Sequence, residues 1–121
     1  MTDNICAFSF KKTVRLLKRS EFLRLSSFGE KIQNKYFIAV FTTGRFEEPR
    51  LGVTVSKRVG KAVTRNRIKR LVREYFRLEK HHIGNWDINI IAKKNVAGLS
   101  TAQIYSYLQK LFDKIQLDRR N

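Results

Sequence analysis

Residues 56–77 read SKRVGKAVTRNRIKRLVREYFR, and this segment carries the strongest helix pattern and the highest charge density of the chain. Between Lys57 and Arg77 it carries nine basic residues and one acid, Glu74. The segment therefore has a net charge of +8, which is half of the formal +16 of the whole chain. Charge concentrated to this degree repels itself, and an anionic polymer placed opposite it removes that repulsion. The segment predicts a nucleic-acid partner.

The same stretch has the periodicity of a half-buried helix that ends near Glu79. Six apolar side chains fall in one sector at 100° per residue, namely Ile68, Leu71, Val72, Tyr75, Phe76 and Leu78. The adjoining sector holds a polar set, namely Arg65, Asn66, Lys69, Arg70, Arg73 and Arg77. Like charges at i, i+4 weaken an isolated helix by about 0.2–0.5 kcal/mol per pair, a loss that binding to an anion recovers. A solvated basic face is the alternative explanation for such a run of charge.

Composition limits the class of protein. With 121 residues, 42% hydrophobic and 12% aromatic content, the chain predicts one globular domain over residues 1–121, frayed at 1–10 and 117–121. Cys6 is the sole cysteine, which excludes an intramolecular disulfide and fits a reducing compartment. The N-terminal sequence lacks the pattern of a signal peptide, and no apolar run approaches the ~18 residues of a membrane span. We therefore expect a soluble cytoplasmic protein with no membrane partner.

The segments around the basic helix predict an α+β domain. A short helix is expected from Glu21, with Gly29 as its stop. Three strands are expected, at residues 36–43, 51–56 and 86–92, and the first two are joined by a hairpin turn at 44–50. Ser100 and Gln103 form a capping box for a final helix with an apolar stripe. The strand–basic helix–strand crossover is expected to be right-handed by the general rule.

The order of these motifs resembles the protein subunit of bacterial ribonuclease P. The segments RLGVTVSKRVGKAVTRNRIKR and WDINIIAKK carry the resemblance, with Arg65-Asn66-Arg67 as the RNR signature after a strand and the Gly60 turn. The resemblance extends from about Phe10 to Ile115. It implies a single-domain sandwich of a central, mostly antiparallel sheet with helices, a fold shared with a domain of a ribosomal protein. In that fold the crossover through the basic helix is left-handed, against the general rule.

The resemblance also implies a function in the maturation of transfer RNA. Ribonuclease P removes the 5′ leader of precursor tRNA by endonucleolytic cleavage, and its catalyst is a separate RNA subunit. The implied cofactor is Mg²⁺, bound mainly by that RNA and the substrate. The protein subunit is expected to bind the leader and the RNA subunit and to improve substrate and Mg²⁺ affinity, with no active site and no small-molecule substrate of its own. The implied RNA-subunit-binding residues are Lys57, Arg58, Lys61, Arg65, Asn66, Arg67, Lys69, Arg70 and Arg73.

A cleft between the first helix and the sheet is the implied site of the single-stranded leader. Single strands bind where aromatic faces alternate with cations, because every base offers a π-face. The candidate leader-binding residues are Phe22, Tyr36, Phe37, Phe41, Thr54 and Ser56. Each aromatic strand residue also has a core-facing alternative, since alternate positions of a strand must face the core. Relatives often have aromatic residues where this chain has Ser26 and Val40, so we expect stacking to be weaker or to use shifted residues.

The polypeptide itself lacks the pattern of a nuclease. Two-metal catalysis needs carboxylates that converge on ions about 3.5–4 Å apart, whereas Glu47 and Glu48 are adjacent in a turn and diverge. His81 and His82 are loop neighbours, and Cys6 has no base placed to activate it. A ribosomal RNA-binding protein and a non-specific DNA-binding protein remain as alternatives that explain the charge but not the RNR signature. Helices that read DNA usually follow another helix, whereas this one lies between strands.

Overall fold

The computed structural model describes residues 19–43, 49–80 and 83–120, with side chains through residue 115. Its three helices and four strands follow the order α1 (Arg19–Phe28), β1 (Glu30–Gln33), β2 (Phe37–Thr43), β3 (Arg50–Thr54), α2 (Ala62–Glu79), β4 (Trp86–Ala92) and α3 (Thr101–Arg120). Short 3₁₀ helices, Lys57–Val59 and Lys94–Gly98, precede α2 and α3. The predicted α+β class is confirmed. Residues 1–10, where fraying is expected, lie outside the described residues, and α3 continues through residues 117–120.

The sheet has the strand order β1-β2-β4-β3. β2 pairs with β1 and with β4 in antiparallel register, whereas β3 and β4 are parallel. The sheet is thus mostly antiparallel, as expected, but the hairpin predicted between β2 and β3 is wrong because β4 lies between them. Residues 44–48 of that turn lie outside the described residues. Strand β1 was not predicted, because its four residues are mostly exposed and carry little hydrophobic signal.

Alternation along the strands gives the sheet two different faces. Phe37, Ala39 and Phe41 of β2 lie with Ile88 and Ile90 of β4 in the main core. Helices α2 and α3 cover this face with their apolar stripes, whose buried members are Ile68, Leu71, Val72, Tyr75, Phe76, Ile104, Leu108, Leu111 and Ile115. Tyr107, expected in the stripe of the last helix, is partly buried against the same core. The assignment of Leu78 to the buried sector is wrong, since this side chain at the sector's edge is 50% exposed. In the described part of the chain, no helix combines the length and the hydropathy of a membrane span.

Among the described residues, α1 alone packs on the opposite face, and it covers only part of it. Leu25 of α1 contacts Val40 of β2, with Phe22 and Ile91 beside them. The predicted stop at Gly29 is confirmed, because its N–H donates to the carbonyl oxygen of Leu25 at 2.8 Å. A Cβ at Gly29 would lie 2.6 Å from that oxygen and 2.9 Å from Val40 Cγ1. The absence of a side chain therefore lets the end of α1 approach β2.

A buried network of charges joins α1 to β3 and β4. Asp87 of β4 is fully buried and accepts hydrogen bonds from Arg24 of α1 and from Arg50 Nε and Nη2 of β3, the latter two at 3.1 Å. Arg50 Nη1 lies 2.7 Å from Glu21 Oε2 on α1. Burial lowers the pKa of Arg50, but the hydrogen bonds and charges of Asp87 and Glu21 outweigh burial and raise it. Arg50 therefore stays cationic and holds α1 against the sheet.

The crossover from β3 through α2 to β4 joins neighbouring parallel strands. Its turn depends on Gly60, whose φ of +155° is a backbone conformation that other residues rarely adopt. A Cβ at this position would also lie 3.3 Å from the Thr64 side chain. The capping box of α3 is confirmed, since Gln103 N donates to Ser100 Oγ at 3.2 Å and Ser100 N donates to Gln103 Oε1 at 2.9 Å. The left-handed sense of the crossover stays a prediction.

Candidate nucleic-acid interface

The predicted RNA-subunit-binding residues lie together around the start of α2. This set of nine residues, which we call the basic face, remains accessible because the apolar sector of α2 packs into the core. Five of its residues are exposed, namely Lys57, Arg58, Lys61, Asn66 and Arg70. The other four are half-buried, namely Arg65, Arg67, Lys69 and Arg73.

Two arginines of the basic face are held in place by backbone oxygens. Arg65 Nε donates to the carbonyl oxygen of Gly60 at 3.2 Å, and Arg67 Nη2 donates to that of Leu99 at 3.3 Å. A guanidinium has five N–H donors, so these bonds orient each side chain and leave further donors for a ligand. Planar guanidinium groups match pairs of phosphate oxygens. The arrangement suits phosphate binding with little ordering of side chains.

A cleft of about 380 Å³ opens between α1 and the sheet. Its walls are mostly apolar, and its lining residues are Arg19, Phe22, Leu23, Leu25, Ser26, Val40, Thr54, Asn89 and Ile91. A polar pair, in which Thr54 Oγ1 donates to Asn89 Oδ1 at 3.1 Å, adds hydrogen-bonding groups to this lining. The structure thus places two of the six leader candidates, Phe22 and Thr54, in the cleft. Their contact with a leader stays a prediction.

Phe37 and Phe41 do not line the cleft, and their assignment to it is corrected. Both are 0% exposed and lie in the main core, where the rings of Phe41 and Trp86 have centroids 5.2 Å apart. They occupy the positions of β2 that face α2 and α3. Because successive strand residues point to opposite faces, these phenylalanines cannot reach the face that carries α1.

Tyr36 and Ser56 also lie outside the cleft lining. Tyr36 precedes β2 and packs at the edge of the main core, with its ring centroid 4.5 Å from that of Tyr107 on α3. Ser56 is exposed between β3 and the 3₁₀ helix Lys57–Val59. It follows Thr54 by two residues, after the strand has ended. Neither residue is fixed by the alternation of a strand, which is why the sequence pattern misplaced them.

Sequence reasoning missed two polar residues of the cleft, Arg19 and Asn89. Asn89 carried a signal, because it is a polar residue inside the apolar strand WDINIIA. Ser26 and Val40 line the cleft, at positions where aromatic residues are expected in relatives. Phe22 is consequently the one aromatic side chain among the described lining residues.

The cleft and the basic face approach each other at the carboxyl end of β3. Thr54 is the last residue of β3 and lines the cleft, and the chain enters the basic 3₁₀ helix Lys57–Val59 three residues later. Helices α1 and α2 pack on opposite faces of the sheet, so this edge is where the two surfaces meet. Thr54 of the cleft and Lys57 of the basic face are thus separated by only two residues of the chain.

The sequence profile of the family described as Ribonuclease P matches residues 10–116. The chain belongs to the ribonuclease P protein family. The ribonuclease P protein component of Desulforapulum autotrophicum is 56% identical over 110 residues, which cover 90% of this chain and 94% of that protein. The corresponding protein of Desulfosudis oleivorans is 51% identical over 109 residues, covering 89% and 90%.

Solved structures of the family share the fold. The RNase P protein of Staphylococcus aureus matches with a TM-score of 0.81 at 36% identity, covering 87% of this chain and 96% of that one. The RNase P protein from Thermotoga maritima matches with a TM-score of 0.77 at 33% identity, covering 83% and 96%. The resemblance seen in the sequence is therefore confirmed, and membership assigns the chain to tRNA processing.

A Mg²⁺ site built from protein side chains alone is not found among the described residues. Within residues 19–43, 49–80 and 83–115, no group of three or more His, Cys, Asp or Glu side chains is placed to hold a metal ion. The carboxylates of Glu21 and Asp87 are engaged by arginines, and Mg²⁺ requires near-octahedral oxygen ligands. The other residues considered for catalysis lie outside the described residues, namely Cys6, Glu47, Glu48, His81 and His82.

Proposed function

We propose that this protein is the RNA-binding subunit of ribonuclease P and assists a catalytic RNA in removing the 5′ leader of precursor tRNA. The basic face binds the RNA subunit, and the cleft beside α1 binds the single-stranded leader. The supporting observation is that an apolar cleft and a set of nine basic and amide side chains meet at one edge of the sheet. The cytoplasmic location expected from the sequence belongs to the same proposal.

The basic face acts through phosphates. RNA carries one negative charge per nucleotide, and cations that neutralise these phosphates release bound counterions, so affinity falls as salt rises. Arg65 and Arg67 are already oriented by the carbonyl oxygens of Gly60 and Leu99, which reduces the entropy lost on binding. The exposed Asn66 between them can donate to a phosphate or ribose and accept from a neighbouring donor.

The cleft acts on a part of the substrate that the product lacks. A base of the leader stacks on Phe22, Arg19 pairs with a phosphate, and Thr54 and Asn89 offer hydrogen bonds to a base or ribose. Because mature tRNA has no leader, these contacts favour the precursor over the product. Discrimination between substrate and product is thus the contribution of the cleft.

The protein positions the leader and the RNA subunit and supplies no catalytic groups. Mg²⁺ is bound mainly by the RNA subunit and the substrate, whose phosphates supply the oxygen ligands that it prefers. By holding the leader and the RNA subunit on adjacent surfaces, the protein brings phosphate oxygens of both close together. Hard divalent cations prefer such oxygen ligands, so the affinity for Mg²⁺ rises.

Reconstitution with the cognate RNA subunit tests this function. At low Mg²⁺ we expect the mixture of protein and RNA to cleave precursor tRNA at the 5′ end of the mature sequence, and the protein alone to leave it intact. Gel analysis of end-labelled precursor measures both outcomes. A protein that gives no stimulation at any Mg²⁺ concentration does not have the proposed function.

Phe22→Ala tests the leader site. Loss of one stacked base lowers the affinity of the holoenzyme for leader-bearing precursor by about 1–3 kcal/mol, whereas mature tRNA binds as before. Phe28→Ala is the matched control, because Phe28 is 80% exposed at the end of α1 and does not line the cleft. Equal losses for precursor and mature tRNA in Phe22→Ala would show that Phe22 acts through the stability of α1 instead.

A further inference from the structure

A second cluster of aromatic and cationic side chains lies where β2 begins and β4 ends. The rings of Tyr36 and Tyr107 meet edge to face, with centroids 4.5 Å apart. Lys35 Nζ lies 5.6 Å from the centroid of the Tyr36 ring, and Lys110 Nζ lies 5.3 Å from that of the Tyr107 ring. Both lysines are exposed and both tyrosines are half-buried. We call these four residues the Tyr36–Tyr107 patch.

Hydrogen bonds through Asn34 hold the patch in place. Asn34 Oδ1 accepts from the N–H groups of Tyr36 and Phe37 at 3.0 and 2.9 Å, and Asn34 Nδ2 donates to the carbonyl oxygen of Tyr107 at 2.9 Å. Lys93 Nζ donates to the carbonyl oxygen of Asn34 at 2.7 Å. Asn34 therefore ties the backbone before β2, which carries Tyr36, to the backbone of α3 at Tyr107, and a ligand that stacks on the two rings meets backbone that is already ordered.

The patch is continuous with the basic face. Asn95 Nδ2 donates to the carbonyl oxygen of Lys35 at 3.4 Å, which ties the 3₁₀ helix Lys94–Gly98 to the patch. That helix packs in turn against the basic 3₁₀ helix Lys57–Val59. Lys94, the first residue of the 3₁₀ helix Lys94–Gly98, is exposed. One cationic edge thus runs from the start of α2 to α3.

The exposed ammonium groups distinguish the patch from a purely structural contact. Packing of α3 on the sheet explains the contact between the two rings, but it does not require a cation near each ring face. Among the described residues, neither Lys35 nor Lys110 has a carboxylate within salt-bridge distance. Each ammonium lies over its tyrosine ring, so a base that stacks there displaces the flexible lysine side chain, whose charge then meets the phosphate. Aromatic faces combined with such cations bind unpaired nucleotides.

We propose that the Tyr36–Tyr107 patch binds an unpaired nucleotide of the RNA subunit, next to the part of that RNA held by the basic face. The proposal rests on the proposed function, which supplies the RNA subunit as partner. The leader is the less suitable occupant, because the cleft assigned to it lies on the face of α1, whereas Tyr36 and Tyr107 pack against the main core on the face of α2 and α3.

Two double variants test the patch by direct binding to the RNA subunit in the absence of substrate. Lys35→Ala with Lys110→Ala is expected to weaken binding about tenfold and to make the slope of log K against log[salt] shallower by about 1.5, the effect of two phosphate contacts. Tyr36→Leu with Tyr107→Leu keeps apolar packing and is expected to weaken binding about tenfold through the loss of one stacked base. Lys80→Ala is the matched control, because Lys80 follows the C-terminal end of α2, away from the patch. We expect this variant to bind the RNA subunit with unchanged affinity and salt slope.

The outcomes separate this proposal from the proposed function. The proposal for the patch is wrong if both double variants bind the RNA subunit with the affinity and salt slope of the wild type. This conclusion requires that charge reversal at Arg65, Arg67 and Arg70 still abolishes binding in the same assay. If that reversal also leaves binding intact, the proposed function itself fails. If the double variants bind the RNA subunit normally but lose the preference for leader-bearing precursor, the occupant is the leader and the proposal is wrong. If the tyrosine double variant has a lower melting temperature than the wild type, the lysine double variant, whose side chains are exposed, still tests whether the patch binds the RNA subunit.

Discussion

Reversal of charge at Arg65, Arg67 and Arg70 to glutamate is expected to abolish assembly with the ribonuclease P RNA and to lower affinity by about a thousandfold or more. In the proposed interface each arginine contributes a charge-assisted hydrogen bond to phosphate, worth about 1.5–3 kcal/mol. Glutamate adds repulsion at the same places. Filter binding across a salt series measures the effect, and the slope of log K against log[salt] is expected to become shallower by about 2–3 units.

The control for this triple variant reverses lysines away from the basic face. Lys31 lies on β1 and Lys80 follows α2, so Lys31→Glu with Lys80→Glu lowers the net charge without touching the proposed contacts. For this control we expect only a small loss of affinity for the RNA subunit, caused by the weaker long-range attraction between the protein and the RNA. Circular dichroism checks that the triple variant still folds, since it loses the bonds to Gly60 and Leu99. A folded triple variant that assembles as well as the wild type would remove the basic face from the RNA interface.

The second large effect is expected at Asp87, whose replacement by alanine should lower the free energy of unfolding by about 3–5 kcal/mol. The carboxylate is 0% exposed and binds both Arg24 and Arg50, so its removal leaves two guanidinium groups without their shared partner. Urea unfolding followed by circular dichroism measures the change. Because Arg24 belongs to α1, the variant is also expected to lose selectivity for leader-bearing precursor while α2 still binds the RNA subunit.

Glu21→Gln is the matched control for Asp87→Ala. Glu21 contacts the same Arg50 at 2.7 Å, but its side chain is 20% exposed and glutamine can still accept a hydrogen bond, so we expect a smaller loss of stability than for Asp87→Ala. A double-mutant cycle that combines Asp87→Ala with Arg50→Met measures the coupling between the two buried groups, which is expected to be strongly favourable. If the free energy of unfolding of Asp87→Ala lies within about 1 kcal/mol of the wild-type value, the charge network does not hold α1 on the sheet.

The basic helix was the most predictable part of the fold. Its eighteen residues repeat an apolar sector over several turns, and the structure gives Ala62–Glu79 with the expected end. Strand pairing was not predictable in the same way, because nothing local in 36–43 or 51–56 shows that 86–92 inserts between them. Arg24 and Asp87 are 63 positions apart in sequence, so their bond also had no local signal.

The candidate site also has one part with a local sequence signal, the basic face, and one part without it, the cleft. The basic face could be predicted as one surface because charge density and the RNR signature are properties of one contiguous segment, and its contact with RNA stays a prediction. The cleft residues come from α1, β2, β3 and β4, and a strand pattern alone does not say which of its two faces is open. Phe37 and Phe41 were therefore assigned to the wrong face, whereas Phe22 does line the cleft between α1 and the sheet, and its contact with a leader stays a prediction.

The position of β4 in the sheet has a consequence for biosynthesis. It is the last strand to emerge from the ribosome, yet β2 and β3 have no direct pairing and both depend on it. A nascent chain that ends before residue 86 carries the arginine-rich helix with its apolar side uncovered, and it also lacks the counter-ion for Arg24. Such long-range pairing slows folding and leaves partly folded chains prone to aggregation. Translational arrest or truncation before residue 86 should therefore yield a polypeptide that cells degrade rather than a smaller functional protein.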